Sequence, residues 1–166
     1  VGSNIVLNGD FQGGTTAASN NFTTQYIPGT GGTYGLLSNP STYAITTSPN
    51  LVHTNFGVCN DHTPNINGNM LVVNGATTGN TAVWQQTVTV VPNTDYLFSF
   101  WETSVEATPS PGQLQLVINN VPISAPLFCN TSNCAWLENS GTWNSGSATT
   151  ANLKIINLAL AASGND

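Results

Sequence analysis

Short segments in which apolar and polar residues alternate recur along this sequence, separated by turn-forming Gly, Pro and Asn. Such alternation is typical of β-strands, because successive side chains point to opposite faces of a sheet. The predicted strands are "NIVLNGDF", "NMLVVNG", "AVWQQTVTVV", "DYLFSFWETSV", "QLQLVINNVPI" and "NLKIINLALA". No stretch has the spacing of an amphipathic helix, so the sequence predicts an all-β fold, an antiparallel two-sheet β-sandwich of jelly-roll type.

The chain is predicted to form one β-sandwich module over residues 1–166, because no repeat or linker divides it and this length suits a single core. Residues 13–50 are rich in Thr, Ser, Gly and Asn, and we expect long loops around short strands there. No charged leader followed by an apolar segment precedes the module, which fits a mature terminus at Val1 after removal of a signal peptide.

Charged residues make up only 5% of the chain, with Lys154 as the single basic side chain and a net charge of −6. So few basic groups cannot neutralise phosphates, which excludes nucleic acid and anionic membrane surfaces as partners. No apolar run is long enough to span a bilayer, so no membrane insertion is expected. Polar positions are filled by Asn, Thr, Ser and Gln, a usage that favours a secreted β protein at or outside the cell surface.

The chain contains three cysteines, an odd number that cannot pair completely within one molecule. Cys129 and Cys134, in "FCNTSNC", are close enough to close a short loop, and a disulfide between them is the leading prediction. Pairing of Cys59 with either is the alternative. No His or Lys adjacent in sequence lowers the pKa of a thiol, so a structural role is expected for all of them.

Alternation within three of the predicted strands separates a core face from a polar face. The predicted core residues are Trp84, Val88, Val90, Tyr96, Phe98, Phe100, Leu114, Leu116 and Ile118. The opposite face carries one large aromatic residue, Trp101, and the amides Gln85, Gln113 and Gln115. An aromatic ring that stacks on a sugar and planar amides that bond its hydroxyls are the ingredients of a carbohydrate site, if these strands adjoin.

Three blocks of the sequence support a resemblance to a known kind of module: "NIVLNGDFQGG", the stretch from "CNDHTPNINGNM" to "QLQLVINNVPI", and "TWNSGSATTANLKIINLALAASGND". Together they resemble a β-sandwich module of large secreted surface and adhesin proteins of gliding, type IX-secreting bacteria. More distantly, "NGDF" and "WQQTVTVVPNTDYLFSFW" resemble the jelly-roll, galactose-binding-like fold of carbohydrate-binding modules. The resemblance implies a building block of adhesins, surface filaments or enzyme appendages.

The sequence departs from this family pattern at two places. Gln85 stands where such modules often have a cysteine, the natural partner of Cys59, which implies that Cys59 is free. Such modules usually continue after Gly-Asn-Asp into a final strand, so this one is expected to lack its last strand, either as a fragment or because a partner donates it. The predicted edge for strand complementation is "KIINLALA", through Lys154, Ile156, Leu158 and Leu160.

The resemblance also implies a structural calcium ion near Asp10, although the acidic partners of such sites on a final strand are absent, and Asp10 alternatively shapes the turn after Gly9. No other cofactor is expected. Glu102, Glu106 and Glu138 are scattered and no nucleophile motif accompanies Asp61 and His62, so the chain is not expected to be an enzyme.

The predicted function is therefore a non-catalytic structural or adhesive module of a bacterial surface protein or extracellular filament. Its partners are further copies of itself or flanking domains of the same polypeptide. The alternative is a carbohydrate-binding module that recognises an extracellular glycan through Trp101.

Overall fold

The computed structural model describes residues 2–63, 67–106, 111–130, 134–160 and 166. Within these ranges it contains β-strands, two single turns of 3₁₀-helix (Ala18–Asn20 and Pro49–Leu51) and no α-helix, so the predicted all-β sandwich is confirmed. The strands are β1 (Ile27–Pro28), β2 (Thr42–Thr46), β3 (Met70–Asn74), β4 (Thr81–Thr89), β5 (Asp95–Glu102), β6 (Gln113–Ile118), β7 (Val121–Pro122), β8 (Leu127–Phe128), β9 (Leu137–Asn144) and β10 (Thr150–Asn157). Among the described residues, no helix is long and apolar enough to cross a membrane.

One layer of the sandwich, the back sheet, has the strand order β4-β10-β6-β7, and β8 also pairs with β6. All of its strands are antiparallel, and β10 is hydrogen bonded along both edges. Leu153 of β10, for example, lies between Gln86 of β4 and Ile118 of β6. The turn from β6 to β7 uses Asn119 and Asn120, both with positive φ, a conformation that asparagine tolerates in tight hairpins.

The other layer, the front layer, consists of two separate groups of strands, β1-β2-β3 and β5-β9. β2 and β3 are antiparallel, with Thr42 opposite Asn74, whereas β1 and β2 are parallel. β5 and β9 are antiparallel along their whole length, from Asp95 opposite Asn144 to Glu102 opposite Leu137. No ladder joins β3 to β5 in the described part of the chain, so the front layer is interrupted between these strands.

The principal core lies between the two layers and confirms the predicted division of faces. Trp84, Val88 and Val90 are buried, as are Phe98, Leu116 and Ile118, and the remaining predicted core residues Tyr96, Phe100 and Leu114 pack partly buried against them. The front layer contributes Tyr43 and Ile45 of β2 to the same cluster. The burial of inward-facing apolar side chains on both layers is the main force that holds the sandwich together.

A secondary core covers the outward face of β2 and β3. Met70 and Val72 of β3 pack there with Phe56 and Cys59 of the preceding loop and with Val105, which follows β5. The β2–β3 pair is therefore buried on both faces, which explains why four of the five residues of β2 are buried.

The disulfide joins Cys59 to Cys134, and the predicted Cys129–Cys134 bond is wrong. The implication that Cys59 is free is wrong as well. Cys129 is a buried free thiol beside the end of β8, whereas the Cα atoms of Cys59 and Cys134 lie 5.3 Å apart. Short separation in sequence favoured the wrong pair, but the chain direction at residue 129 turns that side chain into the interior.

The strand predictions hold for β3, β4, β5, β6 and β10 but not for the first segment. Residues 4–11, "NIVLNGDF", belong to no strand, and from Val6 onward they form bends and a turn. The predicted complementation edge at Lys154, Ile156, Leu158 and Leu160 is also wrong. Lys154 pairs with Gln85 and Val117, and Ile156 with Ala82 and Gln115, while Leu158 and Leu160 follow the end of the strand. Because β10 occupies the middle of the back sheet, it offers no free edge.

Candidate functional site

The predicted carbohydrate-binding residues do not lie on one face of one sheet. Trp101 belongs to β5 of the front layer, whereas Gln85 belongs to β4 and Gln113 and Gln115 to β6 of the back sheet. The amide of Gln115 donates to the carbonyl of Ser124 and so serves the local structure. Period-two alternation predicts which face of its own strand a residue occupies, but it does not predict which strands are neighbours.

Trp101 instead shares the outward face of the β5–β9 pair, which we call the outer face. Three further cross-strand pairs share this face, so its exposed side chains form a mostly polar strip, interrupted by Leu97, with an aromatic residue at one end. The pairs are Trp101 with Glu138, Ser99 with Ser140, Leu97 with Thr142 and Asp95 with Asn144. With alternate residues about 7 Å apart along a strand, the strip is about 20 Å long.

Two aromatic side chains from outside β5 gather around Trp101. The ring of His62 stacks on the indole, with ring centroids 3.7 Å apart and an interplanar angle of 14°. Trp136 meets His62 edge to face at 5.9 Å, and its indole N–H donates to the carbonyl of Asn60 at 3.3 Å. Trp101 nevertheless remains 43% exposed, so the cluster of Trp101, His62 and Trp136, the aromatic cluster, presents ring surface to solvent.

The disulfide ties together the loops that carry His62, which stacks on Trp101, and Trp136, which contacts His62. His62 follows Cys59 by three residues and Trp136 follows Cys134 by two, so one covalent bond ties the two loops that carry them. The contact of Trp136 with Asn60 adds a non-covalent link between the same loops. A ring that is held in place loses less conformational entropy on binding than a mobile one, so this arrangement favours ligand binding.

The outer face is acidic and hydrogen-bonding. Asp95 and Glu138 are exposed, and Asp95 accepts a hydrogen bond of 2.6 Å from the side-chain amide of Asn144. The serine and threonine hydroxyls along the strip both donate and accept. Flat ring surface beside such groups is suited to a ligand with one apolar face and many hydroxyls.

Glu102, one of the scattered acids, lies inside the molecule. Its side chain is 4% exposed, and neither carboxylate oxygen has a hydrogen-bond partner. Burial raises the pKa of Glu102 to about 8, because the charged form is poorly solvated there. Burial and the nearby Glu102 also raise the pKa of the Cys129 thiol, so neither group is suited to act as an ionised nucleophile at neutral pH.

Asp10 lies in an exposed turn, where its carboxylate accepts a hydrogen bond of 3.3 Å from the backbone N–H of Gln12. This is an Asx-type turn, the local role considered for Asp10 from the sequence. Within the described ranges, no three His, Cys, Asp or Glu side chains gather closely enough to hold a metal ion. Calcium at Asp10 stays a prediction.

No protein-family model and no curated protein matches this sequence. Among solved structures, the chain is similar to the N-terminal CBM22-1–CBM22-2 tandem domain of Xyn10C from Paenibacillus barcinonensis. The TM-score is 0.56 at 15% identity, over 96% of this chain and 41% of that one. The two share a fold. This chain spans less than half of the tandem's length, so it corresponds to only part of that structure.

Two further solved structures resemble the chain less closely. The CBM22-1 xylan-binding domain of the same Xyn10C has a TM-score of 0.49 at 14% identity, over 83% of this chain and 85% of that one. The C-terminal domain of the sugar-binding protein EclA has a TM-score of 0.48 at 22% identity, over 54% of this chain and 64% of that one.

The sequence identified Trp101 but missed the residues that surround it. Glu138 lies on β9, a strand whose sequence "LENSGTWN" is polar and contains glycine, so its alternation carries little signal. His62 reaches Trp101, and Trp136 reaches His62, from loops that the Cys59–Cys134 bond joins. The position of each aromatic residue just after a cysteine was the one available signal, and it becomes informative only once the pairing is known.

Proposed function

We propose that this chain is a secreted, non-catalytic module that binds a neutral polysaccharide on the outer face of β5 and β9. The observation that carries the proposal is the exposed indole of Trp101, held in a stacked aromatic cluster at one end of a strip of hydroxyl and carboxylate groups. The fold shared with the CBM22 tandem domain supports it at the level of architecture.

In this proposal the apolar C–H face of a sugar ring packs on the exposed part of Trp101. The carboxylate of Glu138, directly across the strands from Trp101, accepts hydrogen bonds from the hydroxyls of the same sugar. Ser99 and Ser140, the next pair along the strip, bond the following residue of the chain. A linear polymer laid along the strands then passes Leu97 and Thr142 before it reaches Asp95 and Asn144 at the other end of the strip.

Charge favours a neutral glycan over an acidic one. The chain carries a net charge of −6, and two carboxylates, Asp95 and Glu138, lie on the proposed binding face itself. An anionic polysaccharide would meet repulsion both at a distance and in contact.

The proposed location outside the cell is supported by the Cys59–Cys134 disulfide, which persists in oxidising compartments and is rare in the cytosol of most organisms. The non-catalytic character is supported by the placement of the acids. Glu102 is enclosed, and Glu138 lies on an open strip and not on one wall of a cleft.

The test is isothermal titration calorimetry, in which soluble neutral polysaccharides (xylan, mannan, mixed-linkage glucan) are titrated into the protein. Trp101→Ala should weaken binding by a factor on the order of ten or more, since it removes the stacking surface. Phe128→Ala is the matched control, because Phe128 is an exposed aromatic residue on the back sheet and its loss should leave binding unchanged.

Equal affinity of the wild type and Trp101→Ala would contradict the proposed site. If no neutral polysaccharide bound to the wild type, the proposed function itself would be wrong. Thermal unfolding of Trp101→Ala shows whether a loss of binding is due to a loss of folding. Because the residue is partly exposed, its melting temperature should stay close to that of the wild type.

A structural module of a surface protein or filament is the second candidate function. The observation that favours it is the interrupted front layer, in which neither β3 nor β5 pairs along its second edge with any described strand. Unpaired strand edges are sites at which polypeptides associate.

A further inference from the structure

β1 pairs with only the first part of β2, so the rest of that edge of β2 is open. The last hydrogen bond of the pair runs from the N–H of Gly29 to the carbonyl of Tyr43. Backbone groups alternate between the two edges of a strand, so the N–H and the carbonyl of Ile45 point to the same edge as those of Tyr43. Among the described residues, no backbone hydrogen bond reaches Ile45 at that edge. Ile45 therefore offers one donor and one acceptor to a further strand.

A groove with a volume of about 370 Å³ lies beside this edge, and we call it the β2-edge groove. It is lined by residues 43–46 of β2, by Gly29 next to β1, and by Leu36 and Leu51 from the adjoining segments. Leu36 and Leu51 are 43% and 67% exposed, so the groove has apolar walls that are open to solvent. All of its lining residues are uncharged. A concave apolar surface beside a strand edge is suited to a ligand with both a backbone and apolar side chains.

The β2-edge groove is built from one continuous part of the chain. All of its lining residues lie between residues 15 and 52, inside the described range 2–63. The open edge of β2 extends toward Thr46, which pairs with Met70 at the start of β3. Asp166 contacts Gly75, which follows the other end of β3, about 13 Å or more away along that strand. The groove is thus formed without residues from the end of the chain.

We propose that the β2-edge groove binds an extended, uncharged peptide segment of a partner protein, which adds to the sheet where β1 ends. The peptide backbone accepts a hydrogen bond from the N–H of Ile45 and donates one to its carbonyl. Apolar side chains of the peptide pack on Leu36 and Leu51. Residues 44–46 extend about 10 Å, so about three residues of the peptide are engaged.

The chemistry of the groove favours such a peptide over other occupants. An acyl chain would cover Leu36 and Leu51 but would leave the N–H and carbonyl of Ile45 without partners in a site from which it excludes water, which costs free energy. The uncharged lining cannot pair a charged side chain, and the net charge of −6 repels an acidic segment in particular. An uncharged peptide satisfies both the backbone groups and the apolar walls.

The proposal goes beyond glycan binding and does not rest on it, because it uses the edge of β2 and not the outer face. The first test is an NMR titration of the isotopically labelled full chain with the blocked peptide acetyl-Thr-Leu-Thr-Val-Thr-amide, at about 1 mM because so short a contact binds weakly. The amide signals of residues 44–46 should shift, and hydrogen exchange of the Ile45 amide should slow.

Leu51→Asp should weaken binding of this peptide by at least a factor on the order of ten, since it places a charge on the apolar wall. Leu51 is 67% exposed, so the variant should fold normally. Val91→Asp, at a 64% exposed position outside the groove, is the matched control and should bind the peptide like the wild type. No shift at residues 44–46 of the wild type overturns the proposal, and so does equal binding by Leu51→Asp.

The same peptide with N-methyl groups on its three central residues keeps its side chains but loses the donors for pairing. It should bind more weakly by a factor on the order of ten. Equal binding of the methylated peptide overturns the proposal, as does octanol that binds more tightly than the unmodified peptide, because the groove then takes an apolar chain. A wild type that is dimeric in sedimentation velocity, with a monomeric Leu51→Asp variant, also overturns it, because the groove is then an interface between copies.

Discussion

The back sheet and the front layer of this protein are built from similar alternating strands, yet the described strands of the back sheet form one continuous hydrogen-bonded sheet and those of the front layer form two separate groups. β10 of the back sheet is paired on both sides, and the residues that it and β6 direct inward include Leu153, Leu116 and Ile118, all buried. In the front layer, β3 and β5 each pair with one neighbour among the described strands. Of their inward residues, Leu71, Val73, Tyr96 and Phe100 are only partly buried, whereas Phe98 is buried. Pairing and burial thus go together in the described strands, because a neighbouring strand supplies both hydrogen bonds and cover.

The front layer compensates with links that are not part of a ladder. The Cys59–Cys134 bond connects the loop over β2 and β3 to the segment that leads into β9. A backbone hydrogen bond of 2.7 Å from Gly57 to Val105 joins the same side to the end of β5. The same disulfide ties together the loops that carry His62 and Trp136, and His62 stacks on Trp101. One set of contacts therefore supports both the front layer and the proposed binding site.

The sharpest test of this comparison is one substitution made in both layers. Leu116→Ala should lower the free energy of unfolding by about 3 to 5 kcal/mol, because it leaves a cavity in a closed core. Leu71→Ala should cost roughly 1 to 2 kcal/mol, because Leu71 of β3 is already partly exposed. Urea unfolding at micromolar concentration measures both, and equal costs would show that the front layer is as well covered as the back sheet.

Removal of the disulfide should have the next largest effect. Cys59→Ser with Cys134→Ser should lower the free energy of unfolding by about 4 kcal/mol, as expected for a bond between residues separated by 75 positions. It should also weaken glycan binding, since the aromatic cluster loses its support. Unfolding of the variant in urea and calorimetric titration measure the two effects, and unchanged binding would show that Trp101 acts without His62 and Trp136.

Glu102 links the stability of the front layer to pH. The unfolded carboxyl ionises near pH 4.5, whereas the folded one stays protonated up to about pH 8. Between these values the unfolded state binds fewer protons, so stability falls as pH rises, by about 1.4 kcal/mol per pH unit. Urea unfolding between pH 5 and 8 should show this slope in the wild type and not in Glu102→Gln. Glu138→Gln, an exposed control, should keep the slope, and a flat wild-type profile would contradict the burial of a protonated carboxyl.

The smallest expected effect concerns Asp10. If calcium binds there, EDTA should lower the melting temperature of the wild type by about 2 to 4 °C and leave Asp10→Asn unaffected. Equal melting temperatures with and without EDTA would contradict a calcium site at Asp10. The role of Asp10 would then be to stabilise the local turn by accepting a hydrogen bond from the N–H of Gln12.

The five strands β3, β4, β5, β6 and β10 of the ten were predictable because alternation is strong wherever one face is buried, as in β4 and β5. β9 was missed because its outward residues are polar and its inward ones include Asn139 and Gly141. "NIVLNGDF" was wrongly assigned because strand propensity does not supply a partner. The proposed binding face was only partly predictable, since Trp101 could be placed on the outward side of β5 but its neighbours could not.

The sequence by itself determined an all-β chain, the inward and outward sides of its main strands, and a composition with a single basic residue. These properties follow from periodicity and composition, which act locally or over the whole chain. Only the tertiary structure decided that Cys59 pairs with Cys134, that β10 lies inside a sheet and that His62 stacks on Trp101. Those contacts join distant parts of the chain, and a period of two residues fixes the face of a side chain without naming the strand beside it.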